Sequence, residues 1–465
     1  VTSLLLDTDS YKASHYLQLP PGLTHIHSYI ESRGGEFDST VFFGLQYILK
    51  KYLSCSQPQE YIDPDEVEFA KEIFEAHGLP FNYEGWMYIV KDLKGRLPLR
   101  IRAVPEGTIV LTHNVLLTIE NTDPRVPWLT NWVETALMRL WYPTTVATIS
   151  HEAKKIIWEY LKLTADDPKS EIDFKLHDFG SRGVSSQESA GIGGAAHLVN
   201  FMGTDTVQAL LTVRRYYQEV MAGFSIPAAE HMTITSWGRE NEAKAYDNML
   251  TQFAKPGKLV AVVSDSYDIY NACEKIWGSE LRQKVIDSGA TVVIRPDSGT
   301  PSVVVRKVCE ILAEKFGYST NRKGYKVLNN VRIIQGDGVD LASIPEVLSN
   351  LVAGGFSASN VAFGMGGALL QKCNRDTMSF AMKASAVKIN GEWRGISKDP
   401  VTGSEKRSKA GRLDLVNTPT GFVTEVLGPF DPFDDSALET VFENGKVLNN
   451  PKFSEIRERA NREFV

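Results

Sequence analysis

The sequence predicts an α/β protein, an irregular (β/α) barrel joined to a second domain of mixed α+β character, and three observations predict it. From Ile172 onward, short β-branched runs, turns rich in Gly, Asp or Ser, and helix-like stretches succeed one another in a repeating order, the alternation of a parallel sheet or barrel. Polar and charged residues collect in the turns after the runs, while the runs themselves stay apolar. The text on either side of that region lacks the alternation, and 465 residues leave room for a large barrel and a second domain.

In chain order, residues 1–145 read as the first part of the mixed α+β domain. FFGLQYILKKYL and DEVEFAKEIFEAHG carry helical patterns, and LPLRIRAVPEGTIVLTHNVLLTIEN carries strand-like runs. Residues 146–380 read as the barrel. Its seven units are IDFKLHDFGSRG, LVNFMGTDTV, FSIPAAEHMTIT, LVAVVSDSYD with IYNACEKIWG, TVVIRPDSGTP with VVVRKVCEILAEKFG, VRIIQGDGVD with LASIPEVLSNLV, and NVAFGMGGALLQK. Seven is one short of a complete (β/α)₈ barrel, which favours an irregular barrel, although spacing alone leaves a doubly wound sheet open. Residues 381–465 return to strand-like text in AMKASAVKING and TGFVTEVL and end in a charged, helix-forming tail. This part is expected to pack back on the N-terminal part, with the barrel inserted between them.

Composition narrows the partners. A formal net charge of -7 argues against general nucleic-acid binding, which calls for a basic stripe. No apolar run is long enough to span a bilayer and no charged-then-apolar leader opens the text, so no membrane partner and a cytoplasmic location are expected. Cys55, Cys273, Cys309 and Cys373 lie far apart, without the spacing of a zinc or redox motif, which fits reduced thiols.

The turns carry the chemistry. GIGGAA (Gly191 to Ala196) matches a dinucleotide pattern but sits inside a small-residue helical stretch, so close helix packing is the better account. There is no G-x-x-x-x-G-K-[ST]. GMGG, with Gly366 and Gly367, reads equally as a tight turn or a backbone cradle for phosphate, and Arg375 and Lys383 downstream favour phosphate. RPDSG (Arg295, Asp297), SDSYD (Asp265) and QGDG (Gly336, Asp337) put carboxylates at strand ends, either as rim ion pairs or as groups for a sugar phosphate with Mg²⁺. In HDFGSRG, Phe179 is a core aromatic or a stacking platform beside Arg182. In PAAEH, Glu230 precedes His231, a satisfied histidine or a nucleophile. His25 and His27 alternate on a strand without a third ligand, the usual pattern of ordinary histidines.

Taken with TDSYKASHY, LTNWVETAL, WYPTTVAT, KLHDFGSRGVSSQESAGIG, PAAEHMTITSWG, VIRPDSG, AFGMGGALLQK and KDPVTGSEKRSKAGRL, these segments make the chain similar to the nicotinamide phosphoribosyltransferases, a family of type II phosphoribosyltransferases. The resemblance runs from near Leu4 to the final helix. It implies a homodimer with active sites at the subunit interface, joining nicotinamide to 5-phosphoribosyl pyrophosphate with Mg²⁺ to give nicotinamide mononucleotide and pyrophosphate. By resemblance, Phe179 and Tyr11 of the partner subunit sandwich the pyridine ring, Asp205 accepts from the carboxamide, and Arg295 lines the base site. Asp297 resembles the ribose and metal aspartate, and Asp265 a further acidic group, also a candidate metal ligand. Gly366 and Gly367 match the 5'-phosphate cradle, and Arg33, Arg182, Arg375, Lys383 and Lys398 the phosphate cations. Asp9, Gly336 and Asp337 complete the substrate-binding set. His231 matches a histidine that the family phosphorylates with ATP, with Glu230 expected to orient its ring. Ala381 stands where the family often has a serine near the 5'-phosphate, so one hydroxyl contact is missing.

Three other readings compete. A nicotinate-specific relative would not tolerate Asp205 beside a second carboxylate. A barrel aldolase needs a buried lysine at a strand end, and none of the seven turns offers one. A binding protein that kept the fold and lost the chemistry would show an eroded site.

Overall fold

Near-continuous Val and Ile in LVAVV, TVVIR and VRIIQ call for strands covered on both faces. In the computed structural model, which describes residues 4–54, 62–400, 402, 407–428 and 435–464, they lie side by side in one parallel sheet. Cys55, Val401 and residues 403–406 of KDPVTGSEKRSKAGRL lie outside the described residues. The chain forms two units, one of residues 1–148, 215–219 and 374–460, the other of residues 149–214, 220–373 and 461–465.

The second unit is the barrel. Its strands are β1 (Leu176–Asp178), β2 (Gly203–Thr204), β3 (Leu259–Val263), β4 (Thr291–Arg295), β5 (Val331–Gln335) and β6 (Val361–Met365). They stand in the spatial order β2-β1-β6-β5-β4-β3, every pair parallel. The seventh expected strand, FSIPAAEH, is not regular. Pro227 has no N–H to give a ladder, and the segment makes single bridges instead, Phe224 to Gly203 on β2 and Ala228 to Ala261 on β3. Those bridges join the two sheet edges into a ring.

Helices cover the ring's outside. Pro301–Phe316 opens on a proline, whose missing N–H costs nothing in a first turn, and stops at Gly317, whose φ of 74° suits a residue without Cβ. Along it Val304, Val305, Val308, Leu312 and Phe316 are buried at helical spacing. GIGGAA lies in the helix Gln187–Leu198, and its glycines permit close packing: a Cβ on Gly191 would meet Thr212 Oγ1 at 2.4 Å, and one on Gly194 would meet Ala209 Cβ at 2.7 Å.

The first unit is built on a seven-stranded antiparallel sheet that draws on both ends of the chain. Its order is Glu392–Gly395, Phe380–Ile389, Leu23–Ser32, Val115–Asn121, Leu99–Ala103, Glu439–Glu443 and Lys446–Val447. Tyr29 faces Lys383 and Glu31 faces Ala381 in the central pairing. Trp86 packs edge-to-face on Trp128 and Trp132, with ring centroids 5.0 and 5.2 Å away. Helices Pro64–Ala76 and Tyr83–Lys91 start on the caps Asp63 and Asn82. His27 is a core residue: its Nε2 accepts from the Leu413 amide at 3.2 Å.

Glu106 is the costly group in this unit. Its Oε1 accepts from the Gln46 amide at 2.6 Å, yet burial pushes its carboxyl up to about 7 against the pull of that bond, the Gly44 amide, Tyr217 and Lys50. A carboxyl raised by folding is most favourable when protonated. Stability from this group is therefore full below its unfolded value of 4.5 and is lost as pH rises toward 7, by about 3 kcal/mol. Glu106→Gln should remove that slope, so that the melting temperature of the variant relative to wild type rises between pH 5 and pH 8. A difference that stays flat across that range would exclude Glu106 as its source.

Candidate active site

Parallel strands that end together bring the turns after them face to face. Asp265 comes just after β3, Arg295 ends β4 and Asp297 sits two residues beyond it, and His231 opens the helix His231–Thr235. The Asp265 side chain, 4% exposed, gathers them. Its Oδ1 lies 3.0 Å from His231 Nε2, and its Oδ2 accepts from the Asp297 amide at 3.0 Å and the Ser298 hydroxyl at 2.5 Å. Burial opposes ionisation there, but the bonds from Ser298, His231 and the Asp297 amide outweigh it and hold the carboxyl below its ordinary value. The other imidazole nitrogen, Nδ1, faces Asp297 Oδ2 at 4.0 Å, and Arg295 reaches the same oxygen at 3.6 Å.

Glu230 does not orient the ring. Its backbone is the N-cap of the helix, exchanging bonds with Thr233, while Asp265 holds the imidazole. Ser298 was legible as part of RPDSG, but only its position, tucked against a buried carboxylate, shows its use.

Phe179 stands beside this cluster. A Cβ on Gly364 would meet its ring at 2.0 Å, so the glycine in β6 makes room for the aromatic. A Cβ on Gly336 would lie 3.1 Å from Asp297 Oδ1 and 3.6 Å from both Phe179 and Arg295, which places these three around one point. The Phe179 amide donates to Met365 O, and Gly366 and Gly367 lie against the turn 179–183 that carries exposed Arg182. Asp337 is exposed after β5, its carbonyl accepting from Gln335.

Phe179, Asp205 and Arg295 line the same cavity, of about 650 Å³. Its walls include the first residues of strands, Leu259 and Val361, as well as strand-end groups, so it runs along the barrel interior. Small side chains leave that space: Ala261 and Val293 stand with Ile334 in the inner layer. Arg295 Nε is buried without a hydrogen-bond partner among the described residues. Asp205 is exposed, and Ser225, which the sequence did not single out, donates to its Oδ1 at 2.5 Å.

The first unit holds the remaining candidates. Lys383 is half-buried, and burial lowers its ammonium; Glu134 pulls it back, while Arg33, Lys398 and Lys12 push the same way as burial. Those four cations therefore form one positive cluster. Lys12, absent from the expected set, is buried and bonded to Glu134. Arg33 bonds buried Glu31 at 3.4 Å. Arg375 is exposed and paired with Asp376 at 3.2 Å. Asp9 accepts from Thr135 at 2.7 Å, and Tyr11 is 59% exposed.

Comparison with known proteins shows the family and the fold. The model of the nicotinate phosphoribosyltransferase (NAPRTase) family matches residues 174–446, and that of the nicotinamide phosphoribosyltransferase N-terminal domain matches residues 3–101. The nicotinamide phosphoribosyltransferase of Xanthomonas campestris pv. campestris (strain 8004) is 56% identical over 464 residues, covering 98% of each chain. The chain belongs to the nicotinamide phosphoribosyltransferase family. The relative of that name from Acinetobacter baylyi (strain ATCC 33305 / BD413 / ADP1) is 32% identical, over 97% of this chain and 95% of that one. Among solved structures, nicotinate-nucleotide pyrophosphorylase from Pyrococcus furiosus superposes with a TM-score of 0.61 at 17% identity, over 99% of this chain and 95% of that one. Human nicotinic acid phosphoribosyltransferase gives 0.57 at 17% identity, over 98% and 93%. Both likenesses are to the type II phosphoribosyltransferase fold.

Proposed function

We propose that this chain, a pentosyltransferase by its family, transfers the 5-phosphoribosyl group from phosphoribosyl pyrophosphate to nicotinamide, giving nicotinamide mononucleotide and pyrophosphate. The observation that carries the reading is the shared cavity of Phe179, Asp205 and Arg295. An aromatic face, a carboxylate and a buried, unpartnered guanidinium nitrogen suit a flat ring bearing a carboxamide. The pyridine nitrogen's lone pair forms the bond to ribose C1 as the bond from C1 to pyrophosphate oxygen breaks and pyrophosphate leaves with the electron pair. No proton moves, so no general base is required. Asp297 stabilises the positive charge that develops on the ribose, and the cluster of Arg33, Lys383 and Lys398 holds phosphate oxygens.

Mg²⁺ fits Asp297. The Asp265 oxygens already accept bonds from protein donors, whereas Asp297 Oδ2 has its nearest cations at 3.6 and 4.0 Å. Among the described residues no group of three or more His, Cys, Asp or Glu is placed to hold a metal, so the ion would take its other ligands from water and substrate phosphate and would supply charge neutralisation there. His231 is the site of ATP-dependent phosphorylation in this reading. Asp265 keeps the proton on Nε2, leaving Nδ1 as the nucleophile for the γ-phosphoryl group, with ADP leaving.

We also propose that the chain pairs with a second copy. Val207, Leu211, Val220, Met221, Phe224 and Met232 are large apolar side chains left exposed on the barrel unit, the kind of surface that pairing would cover. No helix among the described residues is long and apolar enough to cross a membrane, and buried free thiols at Cys273 and Cys309 suit the reducing cytoplasm.

Incubating purified protein with phosphoribosyl pyrophosphate, Mg²⁺ and each pyridine, with and without ATP, tests the reading. Nicotinate would place two anions about 4 Å apart at Asp205, costing about 4 kcal/mol at an effective dielectric near 20, or about a thousandfold. Nicotinamide should therefore exceed nicotinate in kcat/KM by about that factor, and Asp205→Ser should narrow the gap. Equal kcat/KM for the two would overturn the assignment. In His231→Ala, stimulation by ATP should vanish while slow ATP-independent synthesis persists; surviving stimulation makes the histidine structural. Light scattering should give twice the chain mass for wild type and the single mass for a Leu211→Asp, Val220→Asp double variant, and a monomeric wild type removes the pairing.

A further inference from the structure

Asp178 carries a chemistry that neither the sequence motifs nor the proposed reaction uses. It ends β1, is fully buried, and adjoins Phe179. Its side chain and main chain serve two different elements. Oδ1 accepts from the Gly180 amide at 2.7 Å, which pins the turn immediately after Phe179. Its carbonyl accepts from the Asp205 amide at 3.0 Å, which pins the start of the loop after β2. The two side chains that face the ring thus hang from one residue.

The second oxygen is placed with equal care. Oδ2 is buried without a hydrogen-bond partner, with the hydroxyls of Thr206 and Thr204 beside it, near enough to favour the anion but outside hydrogen-bond geometry. Burial pushes this carboxyl up to about 6; the Gly180 amide and Thr206 pull against that, and Asp205 adds to it. Room for the oxygen comes from the glycine-rich helix. A Cβ on Gly194 would lie 3.0 Å from Oδ2 and 3.1 Å from Thr206 Cγ2, tighter than ordinary van der Waals contact. Part of GIGGAA is therefore a notch for a carboxyl group.

A buried carboxyl with one free oxygen is expensive where plain packing would serve. We propose that Asp178 is a positioning residue for the ring site: its carboxyl, admitted by the notch at Gly194, fixes the turn after Phe179, while its carbonyl ties that turn to the start of the loop carrying Asp205. This rests on the reading of those two residues as the ring and carboxamide contacts. Of the phosphate cations, Arg33, Arg375, Lys383 and Lys398 lie elsewhere and only exposed Arg182 shares the pinned turn, so the effect falls mainly on the pyridine substrate.

Steady-state kinetics on the full chain, with each substrate varied in turn and melting recorded alongside, tests this in Asp178→Ala, Asp178→Asn and Gly194→Ala. In Asp178→Ala the KM for nicotinamide should rise about tenfold, the loss expected for a hydrogen bond to a charged acceptor, while the KM for phosphoribosyl pyrophosphate stays within about twofold. Asp178→Asn keeps an acceptor for Gly180 and should fall between. Gly194→Ala, which displaces the carboxyl without removing it, should raise the same KM and lower the preference for nicotinamide over nicotinate. An unmoved nicotinamide KM in the folded variants, or both KM values rising together in step with a falling melting temperature, overturns the proposal. Should Asp178→Ala fail to fold, the other two variants decide. A wild type that makes no nicotinamide mononucleotide overturns the functional reading and this proposal with it, whereas an active wild type with insensitive variants overturns this one alone.

Discussion

Parallel strands in register impose one constraint on everything else in the barrel unit: their carboxyl ends share a rim, so the turn leaving each strand must face the turns leaving its neighbours. Val263 pairs with Arg295, and Gly364 with His177. Asp265, Asp297 and Phe179 therefore meet without any long-range contrivance of the loops. Once they meet, burial sets their character. Asp265 is compensated by three donors and ionises readily, whereas for Asp178, on another strand of the ring, burial outweighs the Gly180 amide and the nearby hydroxyls and the carboxyl resists.

Asp265 also explains why a histidine can stand at the rim half-exposed and still be oriented. An imidazole with one nitrogen committed to a buried carboxylate presents its other nitrogen in a known direction. The carboxylate is in turn held by Ser298 and the Asp297 amide, so the orientation of His231 is inherited from the turn after β4 rather than from its own helix. Glu230, adjacent in sequence, is taken up instead by the helix start, where its main chain exchanges bonds with Thr233.

Much of this was legible in the sequence, for identifiable reasons. LVAVV, TVVIR and VRIIQ could be nothing but covered strands, and each runs directly into the residues that the rim collects. The helix Pro301–Phe316 announced both its ends through Pro301 and Gly317. The features that escaped were of another kind. FSIPAAEH read as a strand because its alternation survives, and only Pro227 hints that the ladder fails. Ser225, Ser298 and Lys12 belong to residue types too common to single out, and their meaning lies wholly in which carboxylate they touch. Asp178 was hidden in plain view beside Phe179, since complete burial cannot be read from a charged letter.

The closure of the ring has a mechanical side. Elsewhere neighbouring strands are stitched by two to five successive pairings, but residues 224–229 hold each neighbour by a single bridge. Such a seam is where a barrel breathes most cheaply. Because His231 begins its helix directly beyond that seam, while Asp265 is anchored to the regular strand across it, small openings would shift the imidazole against a stationary carboxylate and leave the six-stranded wall at rest.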